Sequence, residues 1–173
     1  MFGFFGDLPL HPLVVHAAIA FVMASATGAI ALAVRPKWRH RFGGLLVLLS
    51  LASVASSWLA VESGKVLTTV PGLGSTNHAE GGTVLLVLLL PFALTACLMY
   101  VLDHWWMVKI NKHGEPYRSA HANQPVVLKA VCGLAVLLAV AVMVQTGIVG
   151  HSGAAKTWEN VVPASTGTTV RDE

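Results

Sequence analysis

Apolar residues along this chain come in long unbroken runs, separated by shorter stretches where charge, proline and glycine collect. Four runs, 13–34, 43–61, 83–102 and 126–150, are long enough to cross a hydrocarbon core as helices, which takes about 20 residues. Barrel strands would alternate apolar and polar positions, and these runs do not. Residues 1–12 contain no lysine or arginine and the first run exceeds a signal-peptide core, so it reads as a retained span entering the membrane N-terminus first. Short connections between antiparallel neighbours predict an all-α, integral membrane, up-down four-helix bundle over residues 13–150. Residues 1–12 then form an outer N-terminal segment, and 151–173 an outer C-terminal tail.

Composition removes the soluble alternatives. The 173 residues are 55% hydrophobic and 11% charged, against about a quarter charged in soluble domains. Cys97 and Cys132 both sit in apolar runs, which excludes a secreted disulfide scaffold. A net charge of +3, from basic residues that border apolar segments, argues against nucleic-acid binding. No hydrolase, transferase or nucleotide-binding signature is present, so nothing marks the chain as an enzyme.

Orientation follows the basic residues. Arg35, Lys37, Arg39, Arg41, Lys109, Lys112, Arg118 and Lys129 fall on one side, and only Lys65, Lys156 and Arg171 on the other. The bias predicts a multi-pass protein of the inner (plasma) membrane with both termini periplasmic or extracellular. Trp38, Trp105 and Trp106 suit the inner interface and Trp58 the outer one.

Lipid provides no hydrophobic drive for helix association, so small residues should mark the packed faces. In the first span this criterion selects Ala20, Ala24 and Gly28, with Met23 and Thr27 beside them, and leaves Val15, Ile19, Val22 and Ile30 to lipid. Ser50, Ser53 and Ser57 read as hydrogen-bonding glue, Ala135 and Ala139 as a small surface, and Pro91 as a bend in the third span.

The eight histidines carry the candidate chemistry. Folded this way, His11, His16, His78 and His151 go outward, while His40, His104, His113 and His121 go inward. The inner four read as interfacial side chains, although His40 and His104 flank the second and third spans and would meet if they were axial haem ligands. His16 lies inside a span on the small-residue stripe, so it is expected to point into the bundle, where an ionisable group signals function. The alternative is a neutral imidazole hydrogen-bonded by Gln145 or Thr146. His78 opens the third span, behind an Asn77–Glu80 capping pattern, and His151 ends the fourth. Imidazole suits zinc, copper and iron. A metal site is therefore expected from His11, His16, His78, His151 and Glu62, and His16, His78 and His151 are the expected cofactor ligands. Sequence leaves a transition metal (copper or zinc) and haem b both open, and a proton relay would use the same residues.

The run His11-Pro12-Leu13-Val14-Val15-His16, opening a first membrane helix, resembles the HPxxVH signature of an uncharacterised bacterial four-helix membrane family, domain of unknown function 2231. The resemblance extends to a histidine before the third helix, as at His78, and to a Gly-rich segment after the fourth, here Gly150-His151-Ser152-Gly153. Ala154 and Ala155 depart from that pattern, replacing a second glycine and an acidic position. Relatives carrying Rieske or other electron-transfer modules imply, by association, a redox or respiratory setting. Two expectations result. The first is an outward histidine cluster that binds a transition metal or haem for electron transfer or metal handling. The other is a cofactor-free accessory subunit of a larger membrane complex. Expected partners are the lipid bilayer, with other membrane redox subunits or a second copy of the chain.

Overall fold

A computed structural model describes residues 4–5, 8–68, 76–112 and 124–158, with side chains over 11–65, 79–111 and 124–155. Phe4–Phe5 and Leu8–Pro9 form a two-residue antiparallel ladder. The remaining elements are helices: α1 (Leu10–Val34), α2 (Pro36–Thr68), α3 (Thr76–Lys112) and α4 (Val126–Trp158). All four are long and apolar enough to span a membrane. Each packs on its neighbours in chain order, and α1 closes the ring on α4. This is the expected four-helix bundle.

The helices outrun the apolar runs. Only Arg35 separates α1 from α2. Its N–H donates to Ala31 O at 2.9 Å and its carbonyl accepts from Trp38 N–H at 2.9 Å. Pro36 has no N–H to lose at a first helical position and disfavours the helical conformation in the residue before it, so the chain reverses in one residue. Residues 37–42, expected in a solvated connection, are therefore the first turns of α2. Helix α4 likewise continues through Gly150–Gly153 to Trp158, and α3 runs unbroken through Pro91.

One spacing organises the interior. The buried rows are Ala18, Val22, Ser25, Ala29 and Leu32 on α1; Leu46, Ser50, Ser53 and Ser57 on α2; Leu85, Leu89, Phe92, Ala96 and Met99 on α3; and Leu128, Cys132, Ala135, Ala139 and Val142 on α4. Steps of four and three alternate along every row, the heptad seam of a bundle packed knobs-into-holes. Leu48, Leu51, Val87, Leu90, Leu94, Leu137, Val140 and Val144 lie exposed on the outside, where lipid rather than water is the solvent.

This seam departs from the expected rotation of α1, although Ile19 is exposed as expected and Gly28 is half-buried. Val22 is fully buried, whereas His16, Ala20, Met23, Ala24 and Thr27 are exposed. Small residues occur on both sides of the helix, and the row containing Ser25 is the one that packs. Ser25 and Ser53 share a hydrogen bond at 3.0 Å between α1 and α2. Of the expected serine glue, Ser53 thus bonds across helices, whereas Ser50 donates to Val47 O within α2 and Ser57 Oγ makes no hydrogen bond among the described residues. Ala135 and Ala139 are buried as expected.

Candidate functional site

Polar side chains gather at both ends of the bundle. At the end where α1 begins, His11 occupies the seam. Its Nδ1 lies 3.1 Å from Ala60 O and 3.0 Å from Ser63 Oγ, joining α1 to α2. The ring fits because residue 64 is glycine, where a Cβ would come within 3.1 Å of His11 Cε1. His16, five residues on, is exposed, and its Nδ1 lies 2.6 Å from Pro12 O. It does not reach the bundle interior. Gln145 and Thr146 are engaged elsewhere, donating to Gly81 O at 3.1 Å and to Val142 O at 2.6 Å.

The other expected ligands are dispersed. Glu62 accepts from Lys65 Nζ at 2.6 Å, an exposed contact along one helix. His151 is exposed on α4. The backbone of His78 lies in the first turn of α3, but its side chain is outside the described residues, as are His113 and His121. Among the described residues, no group of three or more His, Cys, Asp or Glu side chains converges to hold a metal ion.

The opposite end holds a cluster that sequence reasoning missed. Arg39, expected among solvated charges, is 1% exposed. Its Nε–H donates to Leu32 O at 3.3 Å, and Nη1 donates to Cys132 Sγ at 3.2 Å. Nη1 also lies 3.7 Å from Asp103 Oδ1, an ion pair longer than a hydrogen bond. One guanidinium thus ties together α1, α2, α3 and α4. Extending the seam of α2 backward from Leu46 by three and four residues reaches Gly43 and then Arg39. Extending the seam of α3 forward from Met99 reaches Asp103. That register was the available signal. Burying a charge is costly unless it is paired and hydrogen-bonded. Arg39 is both, while Asp103 Oδ1 meets it only through the 3.7 Å ion pair and accepts no hydrogen bond among the described residues.

One residue beyond each member of the pair, His40 and His104 meet on the exposed side. Their rings lie 6.4 Å apart between centroids, with planes 11° apart, and Tyr100 stands 6.2 Å from His104. Cys97 and Cys132 are both free thiols.

Four membrane-length helices around this seam agree with a family-model match covering residues 7–166, to the family described as predicted membrane protein (DUF2231). The chain belongs to that family. No curated protein and no solved structure matches this DUF2231 chain. Family membership and the four apolar helices together make it a multi-pass integral membrane protein in contact with the bilayer.

Proposed function

We propose that this DUF2231 protein is an integral-membrane accessory subunit that docks, within the bilayer, on a transmembrane helix of a larger complex. The supporting observation is the outward face of α1. His16 shares it with Ala20, Ala24 and Thr27, all exposed. Small residues let a second backbone approach closely, and a polar group at that surface gains a hydrogen bond it lacks in hydrocarbon. If Nδ1–H donates to Pro12 O, Nε2 carries the lone pair, so the partner helix would offer a donor there. Photo-crosslinking residues at Ala20 and Ala24 should trap one membrane subunit in the native host, with no product from Leu137 or Val87. His16→Leu should weaken that product. Crosslinks to lipid alone would end this reading, and crosslinks between two copies of the chain would replace the partner with a homodimer.

A second reading rests on the two ring anchors. Metal-bound histidines commonly direct their other ring nitrogen at a carbonyl, as His11 and His16 do. On this reading His11 or His16 would take copper, zinc or haem b in an electron-transfer or metal-handling setting, without the dispersed Glu62 and His151. Elemental analysis and an absorption spectrum of protein purified without chelator test it, and a metal-free, haem-free product would remove it. For orientation we propose the inner membrane with both termini outside, on the eight-to-three basic bias. A periplasm-dependent reporter should be active after Glu173 and silent after Glu115.

A further inference from the structure

We propose that His40 and His104 form a two-histidine site for a divalent transition-metal ion, clipping α2 to α3 at the end of the bundle opposite His11. Two imidazoles bound to one zinc ion at about 2.1 Å, each ring centre about 1.1 Å beyond its nitrogen, have centroids at most about 6.4 Å apart. A tetrahedral angle brings them to about 5.2 Å. The observed stacked rings, 6.4 Å apart with planes 11° apart, must therefore close by about 1 Å and turn their edges toward one ion. Both side chains are exposed, so a rotamer adjustment closes the angle without disturbing the interior, and water completes the coordination shell.

The juxtaposition is built by the packing beneath it. Arg39 and Asp103 pair α2 with α3 in the interior, and the next residue on each helix is a histidine. One turn further in, Tyr100 packs over Gly43, where a Cβ would fall 2.7 Å from Tyr100 Cδ2. The two backbones are therefore held close on the helical turns that present the imidazoles. That closeness also selects an ion over a haem. A macrocycle between the two rings would have to pass between α2 and α3, where Tyr100 already fills the gap. Imidazole nitrogen suits zinc, copper(II) and nickel(II).

The test uses the full chain in detergent, stripped with chelator and titrated with zinc. Zinc should raise the thermal midpoint of the parent protein, since an ion that binds only the native state stabilises it. Either His40→Ala or His104→Ala should weaken zinc binding by at least about tenfold and abolish the shift. His16→Ala and His151→Ala should retain it, so this result is independent of the outer-histidine reading. With copper(II), the electron paramagnetic resonance signal should show two nitrogen ligands in the parent and one in either variant. A parent protein that gives no zinc-dependent shift, or a shift that survives both substitutions, overturns the proposal.

Discussion

Removing Asp103 should damage this protein more than removing Arg39, and removing both should nearly restore it. In Asp103→Leu the guanidinium stays buried, still donating to Leu32 O and Cys132 Sγ, but both acceptors are neutral. Stranding a buried charge costs about 3–5 kcal/mol. In Arg39→Met the remaining carboxyl can neutralise itself by taking up a proton, an escape closed to a guanidinium. The cost then resembles that of one poorly satisfied buried polar group, about 1–3 kcal/mol. The double variant replaces the pair with apolar side chains, an exchange that is often neutral or stabilising, and should lie within about 1 kcal/mol of the parent. An ordinary interhelical hydrogen bond in a membrane protein is worth about 0.6 kcal/mol, so the predicted coupling is several times that. Reversible unfolding in mixed micelles by titration with denaturing detergent, followed by far-UV circular dichroism, measures all four corners of the cycle. Additive losses in the double variant would refute the argument. They would show that packing, not the ion pair, holds this end together.

Gly43→Ala forces the Tyr100 ring to move from 2.7 Å contact and should cost about 1–3 kcal/mol, whereas Gly133→Ala, with nothing within 4 Å, should gain up to about 1 kcal/mol of helix propensity. Thermal melts of the two variants check the contrast, and equal effects would mean α2 and α3 do not approach at Gly43 as described. Val22→Phe should overpack the interior by about 1–3 kcal/mol, while Ala24→Leu should stay within about 0.5 kcal/mol of the parent in the isolated protein. The opposite order in detergent unfolding would put Ala24 inside the bundle. Ser25→Ala and Ser53→Ala should each cost about 0.6 kcal/mol and be non-additive in a double-variant cycle, and strict additivity would deny the 3.0 Å contact between them.

The four spans were legible because apolar length is a one-dimensional property, and crossing a bilayer demands little else. Helix rotation was not, because in lipid the outside of the bundle is as apolar as the inside. On α1 small residues lie on both faces: Ala18, Ala26 and Ala29 within the bundle, and Ala17, Ala20 and Ala24 outside. A small-residue criterion therefore selected the wrong side. Helix ends were illegible for a related reason. Charged residues were taken to end a helix, when they end only its apolar part. Arg39 was assigned to solvent on that ground, although Pro36 was the sign that α2 had already begun. Of the candidate site, the sorting of His11 and His16 from His40 and His104 into opposite ends survived. The convergence of the outer histidines depended on rotation and did not follow.

The seam accounts for both polar ends with one rule. On α2 it passes through residue 39 and misses 40, and on α3 it passes through 103 and misses 104. One helical step, about 100°, separates an arginine and an aspartate that must find each other in the interior from two histidines that meet outside. The same register on α1, counted back from Ala18, passes residue 11 and misses 16. His11 thereby reaches Ala60 and Ser63 on α2, whereas His16 turns outward. Arg39, Asp103 and His11 on the seam have partners within the chain, and their loss should register as lost stability. His16, beside the seam and exposed, bonds only within its own first turn, so its loss should spare stability and, on the proposed function, weaken docking. His16→Ala and His11→Ala separate these two fates within a single helix. The first should unfold with the parent protein. The second removes the ring that joins α1 to α2 over Gly64, leaving Ser63 Oγ still donating to Ala60 O, and should unfold earlier by about 0.5–1.5 kcal/mol. Equal midpoints for the two variants would break the link between seam position and role.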